Sequence, residues 1–413
     1  MTEKKLNMRQ SVLWNSFGSY FYYFCQWLMT VLVVRISGID DAGTLALAIS
    51  ACNVWQSVAL YGMHNYQASD EDDRYSNGVY LASRVVTCAA ALVGCVVYII
   101  LLSYTWKQDL TIVLFLLLRF SEAVEDVYYA AFQKVWRVDI AGKSMTIRGL
   151  LSLILFVLVL RSSRSLALTI GVCAAACMIV VLLYDRRHAV KMLGIRISFD
   201  REQVLSLLKE CLPLAIYLLL ANFIAMAPRL FMESILGNYK LGIYGSIATP
   251  TAVIQMLSTY AFNPFVTLFA EEYHHKDKKG FIRSFFKCIG ILLLISVLAV
   301  AACAVAGKWA LNLLFGSEIA EHSELLIPLV IASCLIAFAT LLCSVHTAIR
   351  SFRIVLFSNI VAVILSVVLS LLFEKKFDMQ GANYAIIIAT LVNIFILSSG
   401  LFVCVKKRFS DEP

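Results

Sequence analysis

The feature that most constrains this chain is a series of about twelve apolar runs, most of them close to 20 residues long, separated by short polar loops. A helix needs roughly 20 predominantly apolar residues to cross the ~30 Å hydrocarbon core of a bilayer. Apolar residues make up 61% of the sequence and charged residues only 15%, whereas soluble domains carry about 25% charged residues. The sequence therefore predicts an all-α integral membrane protein.

The predicted spans divide evenly between the two halves of the chain. In the first half they lie near 13–35, 42–63, 79–104, 110–132, 146–161 and 165–184. In the second half they lie near 208–230, 242–270, 284–306, 325–347, 354–373 and 381–405. The fifth span is short and merges with the sixth through the segment RSSRS, so eleven spans is the alternative count.

Lysine and arginine are concentrated in the loops on the side of the membrane that holds both termini. Cytoplasmic loops carry this excess in membrane proteins, so the pattern predicts a multi-pass protein with both termini in the cytoplasm. The first apolar run follows three basic residues and lacks a small-residue cleavage site, which indicates a retained span rather than a cleaved signal peptide.

The longest cytoplasmic connector, near residues 185–210, lies at the middle of the chain and predicts two six-helix lobes, 1–197 and 198–413. A faint internal repeat favours this division. Gly38 and Gly43 precede and begin the second span, and Gly237 and Gly242 stand at the same spacing before the eighth. Duplicated halves are a common plan among transporters.

Several function classes are disfavoured by what the sequence lacks. The net charge of +8 is spread over short loops, which argues against nucleic-acid binding. The twelve cysteines are scattered through apolar segments without a C-x-x-C pair, so no metal or redox site is expected. The chain contains no G-x-x-x-x-G-K-[ST] phosphate loop. We therefore expect no cofactor.

The fourth span carries charges where contact with lipid would allow none. Arg119, Glu122, Asp126, Tyr129 and Gln133 fall within an arc of about 80° on a helix. Charged residues within spans usually face a bundle interior or a water-filled cavity. Either this face is a buried ion network that only fixes helix packing, or it lines a cavity with a role in transport. The excess of acids over the single arginine favours the cavity.

Glu122 and Asp126 are one helical turn apart, so we expect their charges to interact. Two neighbouring carboxylates favour the binding of a proton by one of them. Glu122 and Asp126 are therefore the candidates for proton coupling.

Other spans carry further candidates. The first span is unusually polar and aromatic, so it either packs centrally or lines a passage where aromatic faces stack on sugars, and it ends at Arg35. Pro228 precedes Arg229 in the seventh span, and Asn263-Pro264 is expected to break the eighth. Spans interrupted by proline often mark moving segments, so Pro228 and Pro264 are predicted hinges.

Three segments together resemble bacterial polysaccharide flippases of the multidrug/oligosaccharidyl-lipid/polysaccharide exporter superfamily. They are the loop HNYQASDEDDRYS followed by Tyr80 and Arg84, the pattern R-x-x-E-x-x-x-D-x-Y-Y-x-x-x-Q from Arg119 to Gln133, and the Pro-Arg pair of the seventh span. The resemblance covers essentially the whole chain, in span number, duplicated halves and loop lengths.

This resemblance implies two six-helix lobes around a central cavity that opens alternately to each side of the bacterial cytoplasmic membrane. It implies a cargo of undecaprenyl-pyrophosphate-linked oligosaccharide, moved to the outer leaflet for capsule, O-antigen or teichoic-acid synthesis. Cationic cavity residues would bind the pyrophosphate. In this chain the resemblance implies that role for Arg119 and Arg229, together with Arg35 and Arg84. Protons or sodium ions as coupling ions, membrane lipids and polysaccharide polymerase machinery are the implied partners.

Three other functions stay open on the sequence alone. A drug or cation antiporter of the same superfamily would use carboxylates without needing cavity arginines. A membrane-embedded polysaccharide polymerase should have a long outer loop, and an acyltransferase a membrane-embedded histidine with an acid partner. His346 keeps the acyltransferase open, although we expect this side chain to be a satisfied interior residue. A structural scaffold would leave the charges of the fourth span unexplained.

Overall fold

The structure, a computed structural model, describes residues 8–70, 74–102 and 104–410, and most of them lie in α-helices. The helices are α1 (Met8–Ser37), α2 (Ile39–Leu60), α3 (Met63–Ser69), α4 (Asn77–Leu102), α5 (Trp106–Lys134), α6 (Val138–Ser163), α7 (Leu166–Val180), α8 (Arg186–Leu193), α9 (Arg201–Leu236), α10 (Asn238–Ala248), α11 (Thr251–His274), α12 (Lys278–Phe315), α13 (Ser317–Ala320), α14 (Leu326–Ala348), α15 (Phe352–Phe377) and α16 (Met379–Ser410). A π-helical turn, Val181–Asp185, joins α7 to α8. These described ranges contain no β-strand.

Ten helical segments of the described chain are long and apolar enough to cross a membrane. The two predicted spans missing from this set each have a local reason. Helix α5 carries the charged face. The eighth span is divided into α10, which has only 11 residues, and α11, whose sequence is interrupted by polar residues such as Gln255 and Asn263. The all-α membrane fold with about twelve spans is therefore confirmed.

The chain forms two compact units, Met1–Asn222 and Phe223–Pro413, so the division lies inside α9 rather than at the predicted boundary of 197 and 198. The reason is the packing of the first half of α9. Its buried residues Val204, Leu207 and Cys211 belong to one apolar core with Tyr80 of α4 and Phe132 of α5. A single continuous helix thus begins in one unit and ends in the other.

The glycines of the proposed repeat adopt the same conformation in both units. Gly38 immediately precedes α2 with a φ of 95°, and Gly237 immediately precedes α10 with a φ of 90°. Residues with a side chain rarely adopt such positive φ values, so glycine is needed at both corners. Gly43 and Gly242 are buried in the helices that follow. The spacing seen in the sequence therefore marks equivalent turns.

The prolines break the chain differently from the prediction. The backbone of α11 is helical across residue 264, so the predicted break at Asn263-Pro264 is wrong, and the side chains of these two residues lie outside the described set. The break lies at Thr249-Pro250, where Pro250 directly precedes α11. Proline is tolerated there because the first amides of a helix have no helical partner. Helix α9 is also continuous across Pro228, whose role as a hinge stays a prediction.

Helices α1 and α6 approach each other closely because glycines face each other at the crossing. A Cβ atom placed on Gly18 would overlap the backbone of Gly142, and one placed on Gly142 would overlap the backbone of Trp14 and Asn15. Small residues permit this kind of contact between membrane helices, where packing rather than water exclusion drives association.

We predict that Gly142→Val destabilises the protein because the new side chain must push α1 away from α6. Overpacking of this kind costs about 1–3 kcal/mol, and the thermal unfolding temperature of the detergent-solubilised protein measures it. Gly290→Val is the matched control, since no neighbouring atom lies within 4 Å of a Cβ at Gly290. Equal unfolding temperatures for the two variants would contradict the close approach.

Candidate functional site

The charged face of α5 is neutralised by arginines, one on α5 itself and two on neighbouring helices. The pairs are Arg119 with Glu122 inside α5 at 2.8 Å, Arg84 of α4 with Asp126 at 2.8 Å, and Arg148 of α6 with Glu125 at 3.1 Å. Each of these three carboxylates therefore has its own guanidinium. The acids outnumber the arginine on α5 itself, but arginines of α4 and α6 balance them, so this excess alone no longer favours a cavity.

Glu122 is the best-connected carboxylate of the three. Its two oxygens accept hydrogen bonds from Nη1 of Arg119 at 2.8 and 2.9 Å. The Tyr22 hydroxyl donates to Oε1 at 2.6 Å, and Nε2 of Gln56 donates to Oε2 at 2.9 Å. Nε2 of Gln26 donates in turn to the Tyr22 hydroxyl at 3.1 Å. Three helices, α1, α2 and α5, thus meet at this one group.

Arg119 is committed to Glu122 through one nitrogen only. Nη1 makes both bonds to the carboxylate, while Nε has no hydrogen-bond partner among the residues that the structure describes. The guanidinium lies over the ring of Phe115, 5.0 Å from its centre. The Arg119 side chain is 16% exposed and the Glu122 side chain 15%. A guanidinium has five N–H donors, so this site has the capacity to bind a second anion.

Asp126 is held from two sides. Arg84, which is fully buried, donates to Oδ2 at 2.8 Å and also to the carbonyl of Ala59 at 2.6 Å. Nδ1 of His64 lies 2.8 Å from Oδ1 of Asp126, and its Nε2 lies 3.2 Å from Oε1 of Gln133. His64 stands on the short helix α3, beyond the end of the second span. Partial burial lowers the pKa of His64, but the bond to Asp126 and its charge outweigh this and raise the pKa above 6.5.

Glu125 and Arg148 form a deeper pair. Their side chains are 5% and 1% exposed. The Arg148 guanidinium lies 5.3 Å from the centre of the Tyr22 ring. Nearby, the Ser144 hydroxyl donates to the buried carboxylate of Asp185 at 2.6 Å. With so little exposure, this pair can hold α5 against α6 but cannot meet a ligand without rearrangement.

The predicted site residues do not all gather in one place. Arg119, Glu122, Asp126 and Tyr129 share the charged face of α5, and the Tyr129 hydroxyl accepts a bond from Asn15 at 2.9 Å. Glu122 and Asp126, the expected acid pair, are each bound to a different arginine. Arg35 lies exposed in the last turn of α1.

Arg229 and His346 belong to the second unit. The Arg229 guanidinium lies 5.9 Å from the centre of the Tyr244 ring, and its Nε has no hydrogen-bond partner within the described chain. The Tyr244 hydroxyl donates to Oδ1 of Asn383 at 2.9 Å. His346 is buried, with Nε2 2.8 Å from the carbonyl of Leu397, as expected for an interior side chain.

Sequence reasoning missed the contributions of Arg148, His64 and Glu125. The signal was present for Arg148, because this residue lies just inside the apolar run predicted as the fifth span. It is nevertheless counted among the basic residues of the preceding cytoplasmic loop when the orientation of the spans is predicted. A buried arginine in an apolar run needs a carboxylate partner. Glu125 lies off the predicted charged arc, and only the position of α6 reveals its pairing.

The segment between α2 and α4, residues 61–76, includes α3 and is called the strap below. Its described residues connect α5 to α9. The Asp70 carbonyl accepts a bond from Lys134 of α5 at 2.5 Å. Tyr66, Arg74 and Tyr75 all contact the carboxylate of Glu210 on α9. The bond to Glu210 raises the pKa of Tyr66 to about 12. The acidic run of this strap, Glu71 to Asp73, lies outside the described residues.

We predict that Glu125→Ala strongly destabilises the protein, because it leaves the buried charge of Arg148 without a partner. Breaking one side of a buried pair costs about 3–5 kcal/mol, whereas replacing both members by apolar residues is often neutral. Thermal unfolding in detergent should therefore show a large loss for Glu125→Ala. A Glu125→Leu/Arg148→Leu double variant should recover most of it. The exposed Glu202→Ala is the control, and a Glu125→Ala variant as stable as this control would contradict the pairing.

The His64–Asp126 pair predicts a pH-dependent stability. The folded pKa of His64 lies above its unfolded value of 6.5, so protonated His64 stabilises the fold. This contribution is fully present below about pH 6.5 and is lost as the pH rises through the folded pKa. The unfolding temperature of the wild type should therefore exceed that of His64→Asn at low pH and converge with it at high pH. His275→Asn should follow the wild type at every pH.

Comparisons with known proteins agree with this architecture. Residues 32–324 match the family model described as polysaccharide biosynthesis protein. The capsular polysaccharide biosynthesis protein CapF of Staphylococcus aureus is 24% identical over 376 residues, covering 89% of this chain and 92% of CapF.

Two solved structures have the same fold at low identity. The lipid II flippase MurJ in an inward closed conformation matches with a TM-score of 0.72 at 12% identity, covering 96% of this chain and 90% of MurJ. An inward-facing multidrug resistance MATE family transporter of the MOP superfamily matches with a TM-score of 0.71 at 12% identity, over 98% of this chain and 100% of that one. The protein belongs to the polysaccharide biosynthesis protein family and is a multi-pass membrane protein with a MOP-type transporter fold.

Proposed function

We propose that the protein is a flippase for an undecaprenyl-pyrophosphate-linked oligosaccharide. It carries this lipid from the inner to the outer leaflet of the bacterial plasma membrane by alternating access, with both of its own termini in the cytoplasm. The product serves capsule, O-antigen or teichoic-acid synthesis. Membership of the polysaccharide biosynthesis family and the likeness to a capsular protein and to a lipid II flippase support this proposal.

The observation that carries the proposal is the partly exposed Arg119–Glu122 pair on a helix of a transporter fold. A pyrophosphate cannot cross hydrocarbon without a partner, because burying an unpaired anion costs many kcal/mol. Arginine pairs with phosphate oxygens through two parallel N–H bonds. Arg119 has donors beyond the Nη1 atom that Glu122 occupies, so its guanidinium suits the cargo's charged group.

Glu122 makes the binding reversible. In the empty site it neutralises Arg119, so neither charge is left unpaired after one cargo molecule leaves and before the next one binds. When pyrophosphate binds, Arg119 turns its donors to the phosphate, while Tyr22 and Gln56 continue to satisfy the carboxylate. The competition between carboxylate and phosphate keeps the arginine from binding the cargo too tightly to release it.

Other predicted residues take supporting roles in this proposal. Arg229 of the second unit is a further candidate for contact with the cargo, since its Nε has no partner in the described chain. Arg84 positions Asp126, because it is fully buried against the Ala59 carbonyl. Arg35 lies at the exposed end of α1, where the lipid headgroups would be. Pro228 and Pro264 are the hinges of this proposal, each within a continuous helix, α9 or α11, that would bend during the cycle.

Coupling to a proton or sodium gradient drives the cycle in this proposal, with Asp126 and Glu122 as the sites. The Asp126–His64 pair adds an imidazole that can take up a proton beside the carboxylate. The polysaccharide polymerase machinery would receive the flipped lipid on the outer face.

We predict that Arg119→Ala lowers export of the glycan at least tenfold without loss of folded protein, because charged hydrogen bonds to phosphate contribute about 1.5–3 kcal/mol each. Arg119→Lys should retain part of the activity, since lysine keeps the charge but not the two-pronged geometry. Arg161→Ala, at an exposed position of α6, is the control. Near-normal export by Arg119→Ala would remove the cargo role of this residue.

Mass spectrometry of lipid-linked saccharides in cells lacking the protein tests the function as a whole. A flippase predicts accumulation of complete undecaprenyl-pyrophosphate repeat units on the cytoplasmic side. An unchanged lipid pool with altered sensitivity to cationic drugs would instead establish an antiporter. Repeat units that accumulate on the outer face would point to a polymerase.

A further inference from the structure

We propose that a polar aromatic stripe on α1 is the surface on which the sugar rings of the cargo stack. The stripe consists of Ser16, Tyr20, Tyr23, Trp27 and Thr30. This inference rests on the proposed flippase function and specifies which part of the cargo α1 binds. Of the two roles left open for this helix by its sequence, the proposal takes the lining of a sugar passage.

The five residues form one continuous line because they follow each other at steps of four, three, four and three. Such spacing keeps side chains on one side of a helix, and the line is about 21 Å long at 1.5 Å per residue. Tyr20 is 43% exposed and Tyr23 is 54% exposed. The stripe is therefore an extended and accessible surface.

The same helix has a second exposed face with a different chemistry. Leu13, Phe17 and Phe24 are 62%, 54% and 52% exposed and carry no polar atom on their side chains. This apolar face lies about 80° round the helix from the stripe, at 100° per residue. A helix that meets only lipid has no use for such a division. The apolar face suits acyl chains, whereas the stripe suits a ligand that is partly polar.

The stripe adjoins the Arg119–Glu122 site through a chain of hydrogen bonds. Tyr22 donates to Glu122, and Gln26 donates to Tyr22. Gln26 is three residues from Tyr23 and four from Thr30, so these side chains are neighbours on the helix surface. A lipid with its pyrophosphate at Arg119 would thus place the attached sugars beside the stripe.

Sugar rings match this surface chemically. Their C–H faces are apolar and their rims carry hydroxyl groups, so they pair with residues that have an aromatic body and a polar tip, as Tyr and Trp do. The indole Nε1 of Trp27 is shielded from solvent and has no hydrogen-bond partner among the described residues. A buried donor without a partner is costly, so a sugar hydroxyl would relieve that cost if the Trp27 ring turned its Nε1 toward the stripe.

Affinity measurements on two lipids test the proposal with purified protein in detergent. The probes are undecaprenyl pyrophosphate and the lipid-linked saccharide fraction isolated from cells that lack the protein. A Tyr20→Ala/Tyr23→Ala variant should bind the saccharide-bearing lipid at least tenfold more weakly and undecaprenyl pyrophosphate within twofold of the wild type. The matched control, Phe17→Ala/Phe24→Ala on the apolar face, should leave both affinities within twofold.

Equal weakening of both lipids, or no weakening of either, in the Tyr20→Ala/Tyr23→Ala variant would overturn the sugar role while leaving the flippase intact. Failure of the wild type to bind either lipid would overturn the flippase and the sugar role together. Arg119→Ala separates the two sites, because it should weaken binding of both lipids.

Photo-crosslinking in living cells gives an independent readout that requires neither purified protein nor a variant with lowered affinity. A benzophenone side chain at position 23 should form adducts that contain sugar, whereas the same group at position 24 should form adducts with phospholipid acyl chains. Acyl-chain adducts at both positions would place the stripe against lipid and overturn the proposal.

Discussion

The pairing of every α5 carboxylate within the predicted span with an arginine is the interaction on which the rest of the first unit depends. A charge inside a membrane is costly unless it is paired, and α5 carries three carboxylates in five residues, Glu122 to Asp126. Only one of the arginines comes from α5 itself; the others come from α4 and α6. Helices α4 and α6 must therefore lie against α5 wherever the fold forms, and α1 follows α6 through the contact of Gly18 with Gly142.

The three pairs are not equivalent, because they differ in how far their side chains are exposed. Glu125 and Arg148 are almost completely buried and fix α5 to α6. Arg119 and Glu122 are partly exposed and keep unused donors, so they can exchange partners. One helix thus combines a buried pair that fixes its packing with a partly exposed pair that has unused donors. The second pair is the one that we propose for the cargo.

The sequence was sufficient for the fold class, because the length of an apolar run reflects the thickness of the bilayer whatever the tertiary structure. The sequence was also sufficient to predict that Arg119, Glu122 and Asp126 share one face of α5, because helical periodicity depends only on local spacing. It could not assign the partners of these residues, since pairing with Arg84 and Arg148 depends on which helices pack against α5. It could not show that the compact units divide inside α9 either, because the packing of α9 is a tertiary property.

The strap between α2 and α4 gives the charged face a route to α9. His64 and Tyr66 are two residues apart on α3, and they contact Asp126 of α5 and Glu210 of α9 respectively. The seven-residue helix α3 therefore contacts both the charged face of α5 and the first half of α9. Both contacts lie within the first unit, so this short helix belongs to the packing that the charged face of α5 organises.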